Sequence, residues 1–173
     1  MVTNKDLQIN LVSRKYPKNI QDLIKRFRRP YPTDIEYIRR LDKEYDIIRD
    51  KGFVDTFQRV SDIIDLIKQK NIPHVLRGSA ASSLVCYQLG ISDIDPIKEK
   101  IPLTRFMNLC RDTQPDVDLD VPHWIRDLLI EEFHEKHPNK VARISNKVMY
   151  KPKSAMREAI RKFGHRKFLP RYY

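Results

Sequence analysis

Three carboxylates stand at alternate positions in the run Pro115-Asp-Val-Asp-Leu-Asp-Val. Side chains of an extended strand alternate between its two faces. Asp116, Asp118 and Asp120 therefore share one face, and Val117, Leu119 and Val121 the other. Same-face neighbours on a strand lie about 7 Å apart, close enough to repel unless water or a cation offsets the charge. One chemistry requires such a set. Two divalent metals about 4 Å apart, held by shared carboxylates, stabilise the attacking and leaving oxygens of an in-line phosphoryl displacement. An edge strand with an acidic, solvated face has the same pattern, so these seven residues leave both readings open.

A second constellation lies upstream, in Arg77-Gly-Ser-Ala-Ala-Ser-Ser-Leu-Val-Cys-Tyr-Gln-Leu-Gly. Gly78 permits a tight turn and Ser79 suits an N-cap. The spacing of Leu84, Val85 and Leu89 predicts a helix over 79–89, with Gly90 where a helix C′ residue belongs. Backbone N–H groups and the positive dipole end at such a start suit a phosphate, and Arg77 adds a permanent charge. Most Gly-Ser helix starts bind nothing, so the weight lies in an anion turn preceding a carboxylate strand. Other candidates carry less. His134 and His137 stand at i, i+3 without a Cys or third His to complete a zinc site. There is no Gly-rich Walker loop around Gly78, and no His stands near Ser79 in sequence to activate it for acyl chemistry.

The elements needed to position these residues are mostly helical. Apolar spacing at Ile35, Ile38, Leu41, Tyr45 and Ile48 predicts a helix over 34–50. Phe57, Val60, Ile63, Ile64 and Ile67 predict a second over 53–70. Pro73-His-Val-Leu reads as a short strand running into the Gly-Ser turn, and 90–114 as a loop with Pro96 and Pro102. A helix is expected over 124–137 with Trp124, Ile125, Leu128, Leu129 and Phe133 inward. A strand is expected over 141–144 and a basic helix over 153–163. Residues 1–33 read as irregular and basic, with a short helix over 20–29. The fold class is therefore α+β, helix-rich with short central strands.

At 173 residues and 40% apolar content the chain suits one modest core. No apolar run approaches 18 residues, so no membrane span is expected. The start Met-Val-Thr-Asn-Lys-Asp carries no secretory signal. Cys86 and Cys110 lack metal-type spacing and read as reduced, packed thiols. Net charge is +11, unevenly spread: residues 140–173 carry +10, residues 1–33 carry +6, and the middle is slightly acidic. Basic arms around an acidic centre make nucleic acid the expected macromolecular partner. Tyr150, Phe163, Phe168, Tyr172 and Tyr173 in the basic tail are able to stack on bases.

With these motifs in order, residues 34–164 resemble the catalytic alpha subunit of bacterial replicative DNA polymerase, the C family. The resemblance rests on Tyr37-Ile-Arg-Arg-Leu-Asp-Lys-Glu-Tyr-Asp-Ile-Ile, Arg77-Gly-Ser-Ala-Ala, Ile91-Ser-Asp-Ile-Asp-Pro, Arg105-Phe-Met-Asn and Pro115-Asp-Val-Asp-Leu-Asp, with Arg126-Asp127 behind. It implies a nucleotidyltransferase-like palm over 34–149, preceded by a basic segment at 1–33 and followed by the basic start of a thumb at 150–173. It further implies DNA-directed DNA polymerisation: a primer 3′-hydroxyl attacks the α-phosphate of a deoxynucleoside triphosphate and releases pyrophosphate. On that resemblance Asp118 and Asp120 match the two catalytic, metal-binding aspartates, for Mg²⁺, with Asp116 in support. Gly78 and Ser79, with Arg77 beside them, match the nucleotide-binding turn. By charge and position Arg126, Lys147, Arg157 and Arg161 are expected to contact primer–template DNA.

The departures are specific. Leu76 and Ser82 stand where the family has Gly, Val121-Pro122 where it has Phe, and Asn146-Lys147-Val148-Met149 where it has a Thr-Phe-Gly-Thr type turn. The family's third palm aspartate, its fingers and its complete thumb have no counterpart in these residues. The Mg²⁺ site is thus expected to be incomplete in this chain, and polymerisation by the chain alone is not expected. The remaining polymerase polypeptide would be a partner, and the location cytoplasmic, at the nucleoid. The competing reading is a non-catalytic, nucleic-acid-binding remnant of a split or decayed polymerase gene. A third is a basic helical module that binds protein.

Overall fold

The computed structural model describes residues 16–110 and 113–163. The chain divides into two compact units, residues 1–128 and 129–173.

In the first unit helix α1 spans Lys18–Lys25 and buries Ile20, Leu23 and Ile24. Its basic residues face outward, and the described part of the 1–33 segment is a core element rather than a solvated arm. Helix α2 spans Ile35–Asp50, capped by the Asp34 side chain accepting from the Glu36 N–H. The expected apolar stripe is present, with Leu41, Tyr45 and Ile48 buried. It ends at Gly52, whose φ of +68° allows two backbone bonds to close the helix. The Gly52 N–H reaches the Arg49 carbonyl and the Phe53 N–H the Ile48 carbonyl, a Schellman closure. Helix α3, Val54–Gln69, buries Phe57, Ile64 and Ile67. Helix α1 packs on α3, and α2 packs on α4, the short helix Leu84–Gln88.

The only sheet among the described residues pairs strand β1, Val75–Arg77, antiparallel with β2, Asp118–Asp120. The register sets Val75 opposite Asp120, Leu76 opposite Leu119, and Arg77 opposite Asp118. Leu76, Val117 and Leu119 pack against the core. A helix-rich chain with one small sheet is the α+β class expected.

Several local expectations are corrected. The helix predicted over 79–89 is two elements: a 3₁₀ turn over Gly78–Ser82, then α4, whose N-cap is Ser83 and not Ser79. The Ser82 hydroxyl donates to the Ser79 carbonyl at 2.7 Å, a local bond that competes with a regular helix start. Helix α5 runs Arg126–Lys136 and begins after Trp124, which is 74% exposed rather than buried. Leu128 is also exposed, and Leu129 is the buried residue of that helix. Residues 141–144 form no strand. The basic helix α6 does form, over Pro152–Lys162. Both cysteines are free. Burial pushes the Cys86 thiol up to about 12, leaving it unreactive, whereas Cys110 is exposed rather than packed. No helix among the described residues is long and apolar enough to cross a membrane.

Candidate functional site

Strand pairing brings the two constellations together. Exposure alternates strictly from Asp116 to Val121: the three carboxylates are exposed and the three apolar residues partly buried. The acidic face of β2 is therefore the open face of the sheet. Because Arg77 stands opposite Asp118, the next residue, Gly78, begins its turn directly beside that carboxylate. Gly78 has φ +80°, a conformation that costs a residue with a Cβ steric strain. A Cβ on Gly78 would lie 3.1 Å from Asp118 Oδ2. A side chain at position 78 would therefore combine backbone strain with a tight approach to the carboxylate.

The two strand aspartates are not equivalent. Asp120 Oδ2 lies 3.1 Å from Arg77 Nε, with both side chains more than half exposed. Asp118 has no ion-pair partner among the described residues. Arg77 is thus a carboxylate partner in this state. An exposed pair of this kind contributes at most about 1 kcal/mol, so Arg77 can be drawn away by a stronger anion. This predicts effects of opposite sign for Arg77→Met. Mn²⁺ affinity without nucleotide should rise, by about five-fold at most given that energy. Affinity for a manganese-loaded triphosphate should fall. Isothermal titration with and without dATP measures both, and a change of the same sign in each would remove Arg77 from this role.

The structure holds no group of three His, Cys, Asp or Glu side chains poised around one metal among the described residues. Two hard carboxylate oxygens on an open face nevertheless fit Mg²⁺, which commonly takes one or two carboxylates and completes its shell with water and substrate phosphates. They do not fit a closed, all-protein cage.

Of the four residues expected at DNA, Arg126 is exposed and pairs with Asp127 at 3.2 Å. Lys147, Arg157 and Arg161 belong to the second unit. Lys147 and Arg157 are exposed and have no ion-pair partner among the described residues, while Arg161 bonds Glu158 on α6. Helix α6 carries the basic residues Lys153, Arg157, Arg161 and Lys162 together with exposed Met156, and Phe163, exposed too, follows the helix. Each phosphate neutralised on duplex DNA steepens the slope of log K against log salt by about 0.9. Replacing Lys147, Arg157 and Arg161 together by Gln should therefore flatten the slope by about 2 to 3 units, read by fluorescence anisotropy across a salt series. An unchanged slope would make these residues a solvated surface only.

One cluster behind the turn lies within the quoted runs but includes none of the candidate site residues. Glu44, on α2, is fully buried. Its Oε1 accepts from Arg40 Nε at 2.9 Å and from the Leu84 N–H at 2.8 Å. Its Oε2 accepts from Ser83 Oγ at 2.7 Å and from the Val85 N–H at 3.0 Å. The signal in the sequence is an acid placed three residues after Leu41 and four before Ile48, inside the apolar stripe, with Arg40 one turn back.

The sequence profile of the bacterial DNA polymerase III alpha NTPase domain family matches residues 10–170. The chain belongs to this family. It is 44% identical over 132 residues to the DNA polymerase III subunit alpha of Ureaplasma parvum, covering 74% of this chain and 13% of that protein. It is 36% identical over 127 residues to an error-prone DNA polymerase of Cutibacterium acnes, covering 73% of this chain and 11% of the relative. An error-prone DNA polymerase of Xanthomonas campestris is 30% identical over 150 residues, 86% of this chain and 14% of the relative. The chain therefore spans between 11% and 14% of the length of these three polymerases.

Proposed function

We propose that this polymerase III alpha family chain is the palm portion of a DNA-directed DNA polymerase and holds the metal–nucleotide half of its active site. The observation that carries the reading is the closeness of the Gly78 turn to Asp118, whose Oδ2 would lie 3.1 Å from a Cβ at position 78; it would set a triphosphate turn against a metal-binding carboxylate. Asp118 and Asp120 would hold Mg²⁺. When bound, that metal supplies charge stabilisation to the attacking and leaving oxygens of a phosphoryl displacement. Ser79 would offer its hydroxyl and Gly78 its backbone N–H to the triphosphate of the incoming deoxynucleotide, and Arg77 would move from Asp120 to a phosphate oxygen. The Gly78 and Ser79 donors, unlike Arg77, would meet the developing negative charge without leaving another partner. The reaction served is attack of a primer 3′-hydroxyl on the α-phosphate, with release of pyrophosphate. The basic second unit, through Lys147, Arg157 and Arg161, would hold the template–primer backbone.

The test is nucleotide binding by the chain itself. dATP should bind saturably in the presence of Mn²⁺ and much more weakly without it. Ser79→Ala should weaken that binding without lowering thermal stability, because Ser79 is not a helix cap. Ser83→Ala, which removes both the cap of α4 and a hydrogen bond to buried Glu44, should cost about 2–4 kcal/mol of stability. dATP affinity unchanged in Ser79→Ala, or independent of Mn²⁺, would leave the turn a structural feature.

A further inference from the structure

We propose that Glu44 is the positioning residue of the Gly78–Ser79 turn, acting through Arg40 and Ser82 without touching a ligand itself. The inference rests on the reading of that turn as the nucleotide side of the site. A carboxylate has about four lone-pair sites, and the Glu44 oxygens receive four donors, two on each. No acceptor capacity remains for a substrate or metal, so whatever Glu44 contributes is contributed by what it holds. It holds the first two amides of α4, while the third, Cys86 N–H, is taken by Ser83 Oγ at 3.1 Å. The start of α4 is thus saturated from inside the protein. An anion must then be met by the preceding 3₁₀ turn and not by the helix.

From Glu44 the hydrogen bonds run onward to that turn. Arg40, oriented by Glu44, donates from its second nitrogen to the Ser82 carbonyl at 2.6 Å and to the Ile101 carbonyl at 3.2 Å. Ser82 in turn donates its hydroxyl to the Ser79 carbonyl at 2.7 Å. The turn is consequently fixed at both ends. The β1–β2 ladder holds Arg77 opposite Asp118, and the Glu44–Arg40 pair holds Ser82 and Ser83. A buried ion pair is a poor way to gain stability alone, since well-packed apolar residues often do as well. Here the charges fix a backbone geometry that apolar packing would leave free.

The experiment uses the full chain with two variants. Glu44→Gln keeps the shape but points an amide NH₂ at backbone donors. Arg40→Lys keeps the charge beside Glu44 and removes the fork that reaches Ser82 and Ile101. Hydrogen exchange is followed residue by residue, and Mn²⁺ is titrated with and without dATP. Both variants should exchange at least ten-fold faster at residues 79–83 while α1 and α3 keep wild-type rates. Both should bind manganese-loaded dATP about ten-fold more weakly. Mn²⁺ binding without nucleotide, which needs only Asp118 and Asp120, should stay within two-fold. If Glu44→Gln does not fold, Arg40→Lys decides the question, since it buries no unpaired charge. Wild-type exchange at residues 79–83 in a folded variant overturns the proposal, even if Leu84 and Val85 exchange faster. A wild-type chain that binds no dATP instead refutes the nucleotide reading of the turn, and the exchange rates still decide the positioning role.

Discussion

Gly78→Val should abolish binding of manganese-loaded dATP. The backbone at this position has φ +80°, which a β-branched residue adopts only with strain of about 1–3 kcal/mol. Its Cβ would begin 3.1 Å from Asp118 Oδ2, with the two methyl groups still to be placed. Either the turn changes its backbone conformation or the Asp118 side chain swings away. The first outcome displaces the N–H of Gly78 and the hydroxyl of Ser79, and the second moves the carboxylate oxygen proposed to hold metal. Both undo the juxtaposition on which the proposed binding rests. Calorimetric titration with dATP and Mn²⁺, alongside circular dichroism to establish folding, measures the effect. A folded variant whose affinity stays within two-fold of wild type would show that neither Gly78 nor its contact with Asp118 matters to the ligand.

Much of the arrangement behind this prediction follows from local pattern. The spacing of Leu41, Tyr45 and Ile48 identifies α2 because a 3.6-residue period leaves one face to bury. The alternation across residues 116–121 identifies the carboxylate face before any partner strand is known. What sequence reasoning misses depends on long-range partners. Ser79 and Ser83 are equally good caps by residue type. Glu44, thirty-nine residues away from Ser83, selects the second by saturating the amides behind it. Trp124 carries the residue type of a core anchor, yet it precedes α5 and stays exposed. Residues 141–144 contain apolar side chains but pair with no strand among the described residues, and a strand without a partner ladder does not form. The pairing of Arg77 with Asp120 is equally invisible to periodicity, since it needs the register of two strands more than forty residues apart.

The asymmetry between the two strand aspartates sharpens what their replacement should do. An amide preserves the shape of a carboxylate and removes its charge. Asp118 has no ion-pair partner among the described residues, whereas Asp120 shares its charge with Arg77. Asp118→Asn alone should therefore cost more Mn²⁺ affinity than Asp120→Asn alone. The double variant should lose specific binding altogether. Neither side chain supports the core, because both lie on the exposed face of the sheet, so stability should change by no more than about 0.5 kcal/mol.

The most direct measurement of the metal–nucleotide site is a Mn²⁺ titration of the chain followed by electron paramagnetic resonance of the free ion. Wild type and the Asp118→Asn/Asp120→Asn double variant are compared with and without dATP. The wild-type chain should remove free Mn²⁺ saturably, at millimolar levels without nucleotide and more tightly with it, since two carboxylates lean on substrate phosphates to complete the shell. The double variant should show neither binding isotherm. Equal Mn²⁺ uptake by wild type and a folded double variant would contradict the account: the acidic face of β2 would then be a solvated edge, whatever its place in the polymerase family.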